Sequence, residues 1–179
     1  MQSYLMHYGI PGMRWGIRKT KSKEVLFVSG SSKTQDPASG YGRKKLPREI
    51  RKVLKRSLRN GDKIIVGDAP GIDRQTQDYL RRKHYSNVVV YGPGTSVRYS
   101  ASKEWKTRPI NAPEFEVGSK EWLAKKDVVM TKAATKGLAV ILDEGAKATR
   151  NNVDRLRNQN KSVKVYELSK HGKKKDRWV

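Results

Sequence analysis

Five short runs of aliphatic and β-branched residues recur along the chain: EVLFVS (24–29), KIIVGD (63–68), NVVVYG (87–92), LAVILD (138–143) and SVKVYEL (162–168). They are too short for core helices and too continuously apolar for strands with one wet face. Each therefore reads as a strand buried on both sides. Helical patterns lie between them. From Leu46, apolar residues fall at Ile50, Val53, Leu54 and Leu58, with Pro47 in the first turn and Asn60-Gly61 as the stop. IDRQTQDYLRRKH (72–84) sets Ile72, Thr76, Tyr79 and Leu80 on one face. Ser119 caps a helix running to about Thr135, and a last helix spans about Thr149 to Gln159. Such connections imply right-handed crossovers between parallel strands. The predicted fold is α/β: a single three-layer Rossmann-like domain over 24–169 with a five-stranded, mostly parallel sheet. A basic N-terminal segment (1–23) and a basic C-terminal tail (170–179) flank it. Residues 93–118, punctuated by Pro and Gly, read as a long loop of the lid or flap kind.

In folds of this type ligands sit at the carboxyl ends of the strands. Here those ends carry SGSS (29–32), GDAPGID (67–73), YGPG (91–94) and DEGAKAT (143–149), whereas the opposite ends carry ordinary turns such as RNGD and NQNKS. A Gly-rich turn opening a helix offers free amides and a positive dipole end to an anion. Gly30, Ser31 and Ser32 form one such loop, and Gly145, Lys147 and Thr149 form another. Phosphate is expected between them, although Thr149 also suits a plain helix cap. Gly67, Asp68, Gly71 and Asp73 differ, because an acid repels phosphate but accepts hydrogen bonds from ribose or base. Asp73 also suits a helix start, and Pro70-Gly71 a turn. Trp105, in the long loop, is the candidate for stacking on a base, while Trp122 at helical spacing reads as core.

Forty Lys and Arg oppose 17 Asp and Glu, a formal net charge of +23. Such a field attracts polyanions and predicts non-specific nucleic-acid binding through the basic tails. The helical stretch RKKLPREIRKVLKRSLR adds to it, or is simply a solvated face. The absence of cysteine excludes disulfides, thiolate catalysis and Cys-ligated zinc. No run is long enough to span a bilayer and no secretory h-region opens the chain, so a soluble protein with no membrane association is expected. His7, His84 and His171 are scattered, and neither GxxxxGK[ST] nor GxGxxG occurs. Acids at strand ends (Asp68, Asp73, Asp143, Glu144) are too common to mark a Mg²⁺ site, so no metal and no cofactor is expected.

In order, VLFVSGSS, IIVGDAPGIDRQTQDYL, VVVYGPG and DVVMTKAATKGLAVILDEGAKATRNNVDRLRNQNKSVKVYEL resemble the SLOG superfamily, over roughly residues 24–168. This group holds the LOG-type nucleotide phosphoribohydrolases and the DNA-processing-protein-A-like Rossmann domains. The resemblance implies a pocket for a nucleotide-derived ligand. The expected ligand set is Gly30, Ser31, Ser32, Gly67, Asp68, Gly71, Asp73, Asp143, Gly145, Lys147, Thr149 and Asn152. LOG-type enzymes carry PGGxGTxxE, whose Glu residues serve base release. Here the stretch is EGAKATRNN: Thr149 is kept, Ala148 replaces a Gly, and Asn151 and Asn152 stand where acids are expected. Asn is neither a general acid nor a nucleophile, which favours binding over hydrolysis unless Asp68, Asp73 or Asp127 supplies the acid.

HYGIPGMRWGIRK (7–19) is similar to the HYGxxGMKWGxR element of tailed-phage proteins, which implies a phage or prophage origin; the expected location is the host cytoplasm, with association with the virion as the alternative. The leading expectation is a homo-oligomeric, phage-encoded binder of an ADP-ribose-like or cyclic-nucleotide signal, sequestering a host antiviral second messenger. The alternatives are a nucleoside-phosphate or ADP-ribose glycosidase using Asp73 or Asp127, and a basic DNA-binding or virion protein.

Overall fold

The computed structural model describes residues 23–32, 46–143, 145–168 and 174–178. The HYGIPGMRWGIRK element, residues 33–45, Glu144 and His171 lie outside them. The chain runs β1 (Val25–Gly30), α1 (Arg48–Asn60), β2 (Lys63–Gly67), α2 (Ile72–Arg82), β3 (Val88–Pro93), β4 (Lys106–Ile110), α3 (Lys120–Ala133), β5 (Lys136–Ile141), α4 (Lys147–Asn158), β6 (Ser162–Leu168) and β7 (Lys174–Trp178). The sheet order is β4-β3-β2-β1-β5-β6-β7. Six strands are parallel, and β7 pairs antiparallel with β6. Successive units step outward from β1 to β4, then the chain returns to the far side of β1 as β5. The crossover order therefore reverses between β1 and β5.

Alternation along the strands divides the core in two. Leu26, Val28, Ile64, Val66, Val88 and Val90 face a layer holding Ile50 and Leu54 of α1 and Ile72 and Leu80 of α2. Phe27, Ile65, Tyr91, Ala139, Ile141, Val163 and Val165 face Met130 of α3 and Val153 and Leu156 of α4. This is a single three-layer α/β domain of Rossmann-like build. Among the described residues no helix is long and apolar enough to cross a membrane.

The sheet has seven strands where five were predicted, and both additions are edges. β4 runs through the stretch expected to be a loop, with four of its five residues exposed. β7 occupies the expected C-terminal tail. Edge pairing satisfies backbone groups without needing an apolar run, so polar KTRPI and KKDRW carry no periodic signal. Trp105 is also corrected. Its indole is buried in the α1–α2 layer, with Nε1 donating to the Tyr85 carbonyl at 2.9 Å, so it is a core residue and not a stacking platform.

Helix ends follow local chemistry. The Ser119 hydroxyl accepts from the Trp122 amide at 3.1 Å and caps α3, as the sequence predicts. Gly61, at φ 72°, closes α1. At the amino end of the sheet the Lys136 ammonium bridges Glu24 and Asp62, the latter at 2.7 Å. Burial opposes its charge, but the two carboxylates outweigh this and hold its pKa above the usual lysine value.

Gly71 fixes how α2 meets β1. Its φ of 84° and ψ of −127° suit glycine alone, and a Cβ there would stand 2.4 Å from the carbonyl oxygens of Ser31 and Ser32. The next amide, of Ile72, donates to the Ser31 carbonyl at 3.1 Å. Gly118, at φ 90°, has nothing within 4 Å of such a Cβ. Gly71→Ala should therefore cost about 3 kcal/mol or more, from strain plus collision. Gly118→Ala should cost only about 1–2 kcal/mol. Urea denaturation of both variants checks the difference; equal losses would refute the packing role.

Candidate functional site

A cleft of about 840 Å³ opens where the crossover order reverses. Its walls are the loop after β1, the loop from β2 into α2, the first two turns of α3 and the start of α4. This is the position at which open α/β sheets bind ligands, and the volume suits a nucleotide-sized molecule.

The floor is a chain of buried polar groups. The Lys126 ammonium, from α3, contacts Asp127 Oδ1 at 2.6 Å. Asn152 Nδ2, from α4, donates to Asp127 Oδ2 at 3.1 Å and to the Ser29 hydroxyl at 2.9 Å. Arg155 donates to Asn152 Oδ1 at 2.7 Å. Asp73, in the first turn of α2, lies over the end of β2. A Cβ on Gly67 would sit 2.3 Å from Asp73 Oδ2 and 3.1 Å from Lys126 Nζ. The glycine thus makes room for a carboxyl and an ammonium that crowd one point.

These surroundings move the two groups differently. Burial pushes the Asp73 carboxyl up to about 7, against the attraction of Lys126 and a hydrogen bond from the Ala69 amide, with Asp127 adding repulsion. Burial works against the Lys126 ammonium too, but Asp127 and Asp73 outweigh it and its pKa rises. Near neutrality the floor therefore holds one ion pair beside a carboxyl poised between its two forms. Such a group in a cleft is a candidate for a functional role.

The rim is basic. Arg98, Lys120, Lys126, Lys147 and Arg155 line the cleft against Asp73, Glu121 and Asp127, and Lys126 is spent on its own pair, so the mouth stays net positive when Asp73 is protonated. α4 begins at Lys147 with no acid in its first turn and, among the described residues, no side chain capping it. The Lys147 amide is spent on the Gly145 carbonyl at 2.7 Å, which leaves the Ala148 and Thr149 amides and the dipole end to face an anion. Arg98 is held in place from behind. Asp68, its carboxylate inaccessible to solvent, accepts from Arg98 Nη2 at 2.5 Å, from Nε at 3.0 Å and from the backbone amide at 2.9 Å. Gln77, also buried, accepts from the Ala101 amide and donates to the Gly67 carbonyl, pinning the 94–101 segment to α2.

Of the expected ligand set, the structure brings together Gly30, Ser31, Ser32, Gly67, Asp73, Gly145, Lys147, Thr149 and Asn152, with Asp127 beside them. Asp68, Gly71 and Asp143 do not line the cleft: Asp68 is occupied by Arg98, and Gly71 packs on the β1 loop. Thr149 is the third residue of α4, buried, and not its cap. Ser31 has a structural task as well, its hydroxyl accepting from the Leu142 amide at 3.0 Å. Sequence reasoning missed Arg98, Lys126 and Arg155. The signal for Lys126 was present, since it lies four residues before the inward Met130 and so shares its face.

Fold and cleft together define a single-domain α/β protein with a polar, net-basic cleft at the switch point of a parallel sheet. Residues 1–22 match the model of a family of unknown function (DUF7211). That match covers the segment carrying HYGIPGMRWGIRK and none of the described residues. Neither curated proteins nor solved structures contain a match to the chain.

Because the folded state holds the Asp73 proton more tightly than the unfolded chain does, stability falls as pH rises from about 3.8 to about 7 and is level above. The effect is of the order of a few kcal/mol. Asp73→Asn should remove that decline, so its stability relative to wild type should rise between pH 4.5 and pH 8. Parallel pH profiles for the two proteins in urea would contradict the assignment. Asp68→Ala should release Arg98 and destabilise the fold by about 1–3 kcal/mol, with increased proteolysis within residues 94–101.

Proposed function

We propose that this chain binds a nucleotide-derived anion of the ADP-ribose or cyclic-nucleotide type in the switch-point cleft. One observation carries the reading: a cationic end and a poised carboxyl share one enclosed space. The uncapped start of α4, with Lys147 and Arg155, suits phosphate. Asp73, across the floor, suits a hydroxyl or a base nitrogen, as donor or acceptor according to its protonation. Leu123 and Ala124 of α3 offer an apolar wall to a base. A simple phosphate site would need only the first of these.

Retention is favoured over turnover. Asn152 stands where LOG-type hydrolases carry an acid, and its amide is committed to Asp127 and Ser29. With the phage-like N-terminal element, the reading extends to sequestration of a host antiviral signal. ADP-ribose titrated calorimetrically into the full chain should bind, and should return intact by mass spectrometry after denaturation. Binding should weaken about tenfold in Lys147→Gln, the loss of one charge-assisted contact. It should also be tighter at pH 6 than at pH 8, where Asp73 is ionised and repels phosphate. Failure of ADP-ribose, NAD and cyclic nucleotides alike to bind would end this reading.

The elevated pKa of Asp73 favours a second reading, an N-glycosidase. The carboxyl proton passes to the leaving base as the glycosidic bond breaks, water adds to the anomeric carbon, and the proton that the water loses returns to the Asp73 carboxylate. Time-dependent release of free base from nucleoside monophosphates or NAD, abolished in Asp73→Asn, would select this reading over retention.

A further inference from the structure

We propose that the outer face of α1 is a second, separate binding surface that takes the phosphate backbone of duplex nucleic acid without regard to sequence. Arg48, Arg51, Lys52, Lys55, Arg56 and Arg59 are all exposed. At 100° per residue they fall within an arc of about 140°, diametrically opposite the buried Ile50, Leu54 and Ser57. The ridge is about 16 Å long at the helical rise per residue. Among the described residues no acid forms an ion pair with any of the six. Glu49, half-buried at the edge of the arc, is the one acid on the helix.

The surface is independent of the cleft. α1 packs on the sheet face opposite α3 and α4, and none of its residues lines the cavity. The composition of the ridge selects the occupant. Protein interfaces are centred on aromatic or apolar anchors, and this arc has none. Helices that lie on anionic lipid expose an apolar face, whereas the apolar face of α1 is spent on the core. Single strands bind through stacking aromatics, and α1 has none. What remains is a two-row array of cations matched to the charge density of a duplex.

The test is fluorescence anisotropy of a labelled random-sequence DNA duplex with the full chain across a salt series. Lys52→Gln/Lys55→Gln/Arg56→Gln keeps helix propensity and, at exposed sites, the fold; far-ultraviolet circular dichroism verifies this. Lys103→Gln/Lys106→Gln/Lys132→Gln, also exposed, removes the same charge elsewhere. The ridge variant should lose at least tenfold in affinity at ~0.1 M salt, and its slope of log K against log salt should drop by about 2–3. The control should stay within about threefold of wild type. Equal losses in both variants, no loss in the ridge variant, or no duplex binding at low salt would overturn the proposal. So would tighter binding of a single strand or of anionic vesicles than of duplex through these same residues. None of these outcomes depends on whether ADP-ribose binds the cleft.

Discussion

An ammonium shut away from water keeps its charge only if carboxylates surround it, and Lys126 is in that position. Its side chain is 10% exposed and lies against Asp127, with Asp73 across the space left by Gly67. Asp127 is in turn held by Asn152, which also holds Ser29. The members come from β1, α2, α3 and α4, both helical layers and the sheet between them. One charge at the centre thus makes each of these elements answerable to the others. Removing Asp127 would leave the buried Lys126 charge without its direct partner, a far larger penalty than the pair's net contribution. Two acids near one cation also explain why only one need be ionised. Asp127 takes the direct contact, and Asp73, facing burial and a neighbouring negative charge, keeps its proton to about pH 7.

The interior of the sheet was legible because parallel strands covered on both faces must be apolar, and β1, β2, β3, β5 and β6 are. The edges were not. An outer strand is satisfied by backbone pairing on one side and water on the other, so β4 and β7 share the composition of loops. Trp105 misled for a related reason: a loop position says where the backbone runs, not where an indole goes, and here it fills the α1–α2 layer beneath β3 and β4.

The cleft was legible in outline, because strand order and glycine-rich turns locate it without any contact information. Its electrostatics were not. Asp68 and Asp73 sit five residues apart in one loop, yet one is neutralised by a guanidinium and the other is pushed toward neutrality by burial. Nothing local distinguishes them. The difference comes from Arg98, thirty residues downstream, and from Lys126 and Asp127, which α3 buries alongside Met130.

The net charge of +23 likewise says little until it is divided by location. Within the cleft, cations stand beside acids that temper them, and the field is shaped: positive at the start of α4, adjustable at Asp73. On α1 no acid among the described residues forms an ion pair with them, and they lie on a convex helix surface open to water. An enclosed mixed field can discriminate among small anions by where each charge falls, because low-dielectric walls preserve local differences. An open array of like charges cannot, because water and salt smooth it to a mean potential beyond about 10 Å. The same excess of lysine and arginine therefore makes a field with local contrast in the cleft and a featureless one on α1.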